Sequence, residues 1–408
     1  MQDNIYKLKG KIQHYAWGGY LYIPNLLGIP NPDNKPFAEY WLGAHPSASS
    51  DIVLEDGSSI SLLEFINNNP QRILGSHILK NFGELPFLLK ILDVREMLSI
   101  QVHPTREQAL IGYEAEENAG IPIQAPHRNY KDRNHKPEVM VALSETFWLL
   151  HGFKSIAALE ALLANTFELS VLLPLFKKQG YKALYQLVME MEQTDINNML
   201  HTLVRKELHK KTNGLLTRND PGWWVAKLFE GKEAIGDIDR GIFSIYFFNI
   251  ISLKKGEGIF QKAGIPHAYL EGQNIELMAN SDNVLRAGLT PKHIDVPELV
   301  KHTIFQPVTP EILTGKQIEL HFPEFNYPCS VPDFGIHKIT WQGAKQYNAL
   351  AVSPEILIAV EGSCIITDPN GKNKVIKQGE AILVLPNTDY TISGSGSIEL
   401  FKAYVPVE

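Results

Sequence analysis

From Ile5 to about Trp148 the hydrophobic positions fall in short runs, such as Ile52 to Leu54, Phe87 to Leu92 and Val139 to Leu143, separated by Gly, Pro, Asn and Asp clusters. Short apolar runs bounded by turn residues predict an antiparallel β architecture. From about Ser155 to Lys210 the pattern changes to three-and-four spacing, as in Leu159, Leu162, Leu163 and then Leu184, Leu187, Val188 and Met191, which predicts amphipathic helices. The turn-rich stretch from Asn213 to Asp239, with Asn219-Asp220-Pro221-Gly222, should return the chain to strands. Strand character resumes at Gly241 to Ile251, a helix is expected from Pro291 to about Val300, and short strands fill the chain after Thr309.

One block occurs twice. Gly256-Glu257-Gly258-Ile259-Phe260 followed by Pro266-His267-Ala268-Tyr269 resembles Gly379-Glu380-Ala381-Ile382-Leu383 followed by Pro386-Asn387-Thr388-Asp389-Tyr390. A glycine-led turn, a strand, a proline and a second strand are the pattern of a cupin-type jelly roll. The expected fold is therefore mainly β with a helical insertion: two cupin-like jelly-roll β domains plus an α-helical domain. Residues 1–150 with 240–310 would form the catalytic barrel, 151–239 the helical insertion, and 311–408 a second barrel without metal ligands.

Composition narrows the function. With 44% hydrophobic and 20% charged residues, the 408-residue chain should fold into several packed units without a partner. A formal net charge of -7 gives no reason to approach nucleic acid or an anionic membrane, so an anionic ligand needs a local basic cluster. Cys329 and Cys364 have no metal-ligand spacing, and no long apolar run marks a signal peptide or a membrane span. A reducing cytoplasm is the expected location.

Three segments carry candidate chemistry. In Ser99-Ile100-Gln101-Val102-His103-Pro104 an extended chain aligns Ser99, Gln101 and His103 on one face. In His135-Lys136-Pro137-Glu138 the proline favours an extended approach that sets Glu138 at the start of a strand. The third is Gly264-Ile265-Pro266-His267-Ala268-Tyr269. Two histidines, a carboxylate and an amide oxygen make a mixed N/O set for a divalent metal, zinc first and iron next, if the fold brings them together. The stretch Glu276 to Lys292 adds Asp282, Arg286 and Lys292, and arginine with lysine suits a phosphate or an enediolate.

These residues sit in longer blocks: YAWGG, AEYWLGAHPSASS, PFLLKILDVREMLSIQVHP, HKPE, and GIPHAYLEG leading into NSDNVLRAGLTPKHIDVPEL. In that order, across residues 14 to 300, they resemble type I phosphomannose isomerases of the cupin superfamily. The resemblance implies an aldose-ketose isomerase that interconverts mannose 6-phosphate and fructose 6-phosphate through a cis-enediol, with one zinc ion per chain. It places the metal on Gln101, His103, Glu138 and His267, the functional arginine on Arg286, and the active-site lysines on Lys136 and Lys292. Ser99, Glu276, Tyr269 and Asp282 match further active-site positions. Glu276 is the expected proton carrier, with His135, Lys136 and Asp282 as alternatives. Lys136 or Lys292 would hold the phosphate, assisted by Ser99, with Tyr269 also at the substrate. The expected partner is a small sugar phosphate rather than nucleic acid or membrane, and the expected state a monomer, with a homodimer as the alternative. An iron oxygenase and a non-catalytic sugar-phosphate sensor are the competing readings.

Overall fold

A computed structural model describes residues 3–319 and 323–407. Its centre is the 13-residue strand His267–Ala279. The first half of this strand pairs with Thr146–Phe153, and the second half pairs with Phe87–Val94 on one side and Glu138–Ala142 on the other. Glu39–Gly43 and Lys11–Gln13 extend the sheet beyond Phe87–Val94, and Gly258–Gln261 pairs with Glu138–Ala142. All eight residues of Phe87–Val94 are buried, so this strand shows no alternation and reads as one apolar run.

The second barrel contains a nine-stranded and a four-stranded sheet. Its long sheet departs from the expected division of the chain. Ile5–Lys9, assigned by position to the catalytic barrel, pairs with Ala381–Val384 and passes the sheet on to Asp51–Val53. A strand of five residues carries no mark of which edge it will join, and here the unpaired edge of Ala381–Val384 takes it. One apolar core then spans both barrels, with Leu42, Leu89 and Ile275 in the same cluster as Ile336, Ile358 and Phe401. Such a core fixes the two barrels relative to each other.

The repeated block has the same structure in both copies. Gly256 and Gly379 have φ of 83° and 80°, values that glycine adopts without a Cβ penalty. The Gly256 amide donates to Ala142 O at 2.9 Å and the Gly379 amide to Ala359 O at 2.7 Å; the amides of Ala142 and Ala359 return bonds to Glu257 O and Glu380 O. Register then pairs the copies residue by residue. Gln261 faces Glu138 as Val384 faces Glu355; Glu276 faces Lys90 as Lys402 faces His337; Leu92 faces Glu39 as Ile339 faces Glu324. Glu138, Glu276, Lys90 and Glu39 thus correspond to Glu355, Lys402, His337 and Glu324.

The helical insertion consists of Ile156–Asn165, a 3₁₀ turn, Leu173–Glu190, Gln193–Thr212 and Pro221–Phe229. The last helix corrects the expected turn stretch: Asp220 is its N-cap and Pro221 its first residue, so the Asp-Pro pair starts a helix. Gly241–Phe247 is likewise helical and the strand begins only at Phe248; all seven helical residues are buried, which removes the periodicity that would have separated helix from strand. Arg106–Asn118 is a further helix inside the stretch expected to be β, opened by a capping box between Thr105 and Gln108. The helix expected near Pro291 begins at Val296, where Asp295 caps the Glu298 amide.

Candidate metal centre and substrate cleft

Cross-strand register assembles the site. Gln101 is the partner of His267 on one side and of Arg286 on the other, so three side chains from separate segments share one face. Glu138 starts the strand next to the second half of His267–Ala279, where it faces Met278. His103 follows Gln101 by two residues and is buried.

Hydrogen bonds fix both histidine tautomers. His103 Nδ1 lies 2.9 Å from the Asn283 carbonyl oxygen, and His267 Nδ1 lies 3.0 Å from that of Ile265. A carbonyl only accepts, so each Nδ1 is the donor, which leaves Nε2 with a lone pair in the neutral ring. Both lone pairs point at Glu138, with His103 Nε2 3.3 Å from Oε1 and His267 Nε2 3.3 Å from Oε2. His103 Nε2 has no hydrogen-bond partner. Burial pushes the His103 pKa down to about 4, which keeps the ring neutral. Burial opposes ionisation of Glu138, but the Lys136 ammonium beside it holds its carboxyl well below the usual range. Ligand atoms of His103, Glu138 and His267 lie within 4.8 Å of one another, a buried N/O set that suits a divalent cation. Gln101, half-buried on the same face, offers an amide oxygen.

Below these residues is a cavity of about 60 Å³ lined also by Lys136, Glu276, Tyr269, Lys90 and Glu39. Lys136 Nζ is 3.1 Å from Glu138 Oε1, and Lys90 Nζ is 3.4 Å from Glu276 and 3.8 Å from Glu39. The Tyr269 hydroxyl donates to Glu276 Oε1 at 2.8 Å. Burial, with the Glu138 carboxylate nearby, raises the Glu276 pKa, and Lys90 offsets part of that rise. Burial disfavours the Lys90 ammonium, yet Glu39 and Glu276 hold it charged.

An open cleft of about 670 Å³ lies outside, lined by Arg286, Asp282, His45 and Lys131 among others. Of the expected residues, Gln101, Glu138, His267, Lys136, Glu276 and Tyr269 meet at the inner cavity, with His103 buried behind Glu138, and Asp282 and Arg286 line the outer cleft. Ser99 is half-buried and lines neither, and Lys292 is exposed, near enough to Arg286 for that charge to lower its pKa after burial. His135 also lines neither; its ring is turned to Asp333 and Arg106. Sequence reasoning missed Lys90, Glu39 and Asn283. A lysine within the apolar run FLLKILDV was the available signal for the first. Asn283, fully buried, accepts from the Lys131 amide and donates to the carbonyls of Asp132 and Asn134, so it pins that loop while orienting His103.

Residues 5–156 match the type I phosphomannose isomerase catalytic domain. The mannose-6-phosphate isomerase of Salmonella typhimurium is 34% identical, covering 98% of this chain and 99% of its own. This chain belongs to the mannose-6-phosphate isomerase family. The human member is 33% identical over 93% of each chain. Among solved structures, a Salmonella typhimurium mannose 6-phosphate isomerase bound to fructose 6-phosphate and zinc matches with a TM-score of 0.86 at 33% identity, over 99% of this chain and 100% of that one. A zinc-bound holo form of a mannose 6-phosphate isomerase matches with a TM-score of 0.87. The isomerase family therefore accounts for both barrels and the helical insertion, well beyond the catalytic region alone.

Proposed function

We propose that this chain interconverts mannose 6-phosphate and fructose 6-phosphate at one zinc ion held by Gln101, His103, Glu138 and His267. The observation that carries the reading is the convergence of two histidine Nε2 atoms and a carboxylate beside a buried Lys90–Glu276 pair. Zinc, when bound, polarises substrate oxygens and stabilises negative charge that develops on them.

Isomerisation moves one proton from C2 of the open-chain aldose to C1 and one from the C2 hydroxyl to the C1 oxygen, through a cis-enediol. Glu276 is the group we assign to carry the carbon-bound proton. Its carboxyl is buried and raised in pKa, and so stronger as a base than an exposed carboxylate. Lys90 and the Tyr269 hydroxyl hold that carboxyl in place. Lys136 is engaged with Glu138 and supplies positive charge beside the reacting oxygens. Arg286, next to Gln101 and at the cleft, stabilises the enediolate. Exposed Lys292 is then free to meet the phosphate at the rim, and Asp282 shapes the mouth through His45, 3.5 Å away.

No described helix is long and apolar enough to cross a membrane. We place the enzyme in the cytoplasm as a monomer acting on a small sugar phosphate. The deciding experiment is a coupled assay of mannose 6-phosphate conversion before and after chelation, with zinc added back and metal content measured. Turnover lost on chelation and restored by zinc is expected; no turnover in fully zinc-loaded protein would refute the reading.

A further inference from the structure

The second barrel carries none of the assigned metal ligands, yet it sends a buried carboxylate to the two segments that carry His103 and Glu138. Asp333 is fully buried. Its Oδ1 accepts from Arg106 Nη2 at 2.6 Å and its Oδ2 lies 2.9 Å from His135 Nε2. Arg106 is the first residue of the helix Arg106–Asn118, three residues after His103, and His135 directly precedes Lys136 in the turn that ends at Glu138. One carboxylate therefore ties together the two segments that carry His103 and Glu138. Its own position is fixed, because the adjacent Phe334 is fully buried in the core shared by both barrels.

Asn283 grips the same loop from the opposite side, through the Lys131 amide and the Asp132 and Asn134 carbonyls. The turn thus hangs between an amide of the first barrel and a carboxylate of the second. Charge-assisted hydrogen bonds to a buried carboxylate are strong and geometrically demanding, which suits a clamp better than a solvated contact would.

We propose that Asp333 is a positioning residue for the isomerisation, acting through His135 to fix where Lys136 and Glu138 stand. The proposal rests on the assignment of Lys136 and Glu138 to the active site made above. It also gives the second barrel a part in catalysis without a metal of its own. Displacing a catalytic group by about 1 Å costs roughly 100-fold in rate, so loss of the clamp should be visible in turnover.

The test uses full-length, zinc-loaded protein with Asp333→Asn, which keeps the shape, and Asp333→Ala, alone and combined with His135→Ala. At saturating zinc both Asp333 variants should lose about 10- to 100-fold in kcat/KM. Because Asp333 acts through His135, the double variant should be no slower than the slower single variant. A purely structural role would lower thermal stability and leave the kcat/KM of the folded protein alone. Asp333→Asn within twofold of wild type, or losses that multiply in the double variant, would overturn the proposal. If zinc-loaded wild type fails to turn over, the isomerase reading falls, and hydrogen exchange decides the clamp. Faster exchange of residues 131–136 in Asp333→Ala then supports it, and unchanged exchange rejects it.

Discussion

Tyr269 and Glu276 are seven residues apart on one continuous strand, yet the Tyr269 hydroxyl reaches Glu276 Oε1 at 2.8 Å. A straight strand would separate them by roughly 23 Å. The contact exists because the strand turns from one part of the sheet to another: its register shifts between Tyr269 and Glu271, and Gly272 has φ of 128°. A Cβ at Gly272 would lie 2.7 Å from the Phe147 ring and 2.8 Å from Ser144 Oγ. Gly272→Ala should therefore cost about 1–3 kcal/mol of stability from backbone strain, with further loss from the clash. It should also lower kcat by separating Tyr269 from Glu276. Denaturant unfolding and steady-state kinetics on the same preparation check both; a stable variant with normal kcat would show the bend to be dispensable.

Glu276→Gln should lower kcat by about 10²- to 10⁴-fold, as expected for loss of a general base, and leave zinc content unchanged. The pH profile carries the sign. Burial raises the carboxyl pKa above its ordinary 4.5, and the base works only when ionised, so wild-type activity should fall on the acid side at a pH above 4.5. A wild-type acid limb at or below that value, or a Glu276→Gln variant with normal kcat, would remove Glu276 from the role.

Arg286 and His267 lie on opposite sides of Gln101, each its cross-strand partner. Arg286 therefore stands beside one assigned ligand and lines the outer cleft, within reach of a substrate bound there. Arg286→Ala should lower kcat much more than it raises KM, by about 10²- to 10³-fold if it acts like a single oxyanion donor. The opposite split in initial-rate kinetics would assign Arg286 to ground-state phosphate binding.

The candidate metal-binding residues could be singled out in the sequence because each stands in a distinctive local setting: alternation in Ser99-Ile100-Gln101-Val102-His103, and a proline before Glu138 and before His267. What assembles them was not legible. Gln101 meets His267 and Arg286 only through bridges of one or two residues, too short to leave a pattern. Lys90 points inward from a strand buried on both faces, so no polar row announces it. Asp333 lies 198 residues from His135, and only the packing of one barrel on the other brings them together. The jelly-roll pattern was readable because its turns need glycine at positive φ, whereas the transfer of Ile5–Lys9 to the second barrel depends on which sheet edge is vacant.

Zinc removal should be felt in stability as well as activity. The two Nε2 atoms and Glu138 face one another inside the protein, an arrangement that a bound divalent cation would stabilise. Saturating zinc at about 1,000 times its Kd would contribute about 4 kcal/mol, so chelation should lower Tm, and added zinc should restore it in a concentration-dependent way. His103→Ala should abolish that response along with tight zinc binding. Calorimetry with metal analysis reads both, and a Tm indifferent to zinc in the wild type would argue against the centre.

The second barrel answers the same problem of buried carboxylates with protein groups. Lys402, in the place of Glu276, puts its Nζ 2.5 Å from Glu324 and 3.8 Å from Glu355, while His337 Nδ1 lies 2.7 Å from Glu324 and Tyr390 donates to Glu355 at 2.6 Å. An ammonium thus stands among carboxylates that correspond to Glu39 and Glu138. Burial opposes ionisation of Glu324, but His337 and Lys402 outweigh it and bring its pKa from 4.5 down to about 2. A carboxyl with a lower pKa in the folded state contributes stability that is present above pH 4.5 and lost as pH falls toward 2. Glu324→Gln should remove that contribution and leave Lys402 short of a partner, a loss of about 3–5 kcal/mol at neutral pH. The variant's stability should then fall less steeply than the wild type's between pH 4.5 and 2. Zinc stoichiometry and the kcat of folded protein should stay at wild-type values. Denaturant unfolding across that range, paired with metal analysis, tests the argument; an unchanged acid slope would mean that Lys402 and His337 do not hold Glu324 ionised.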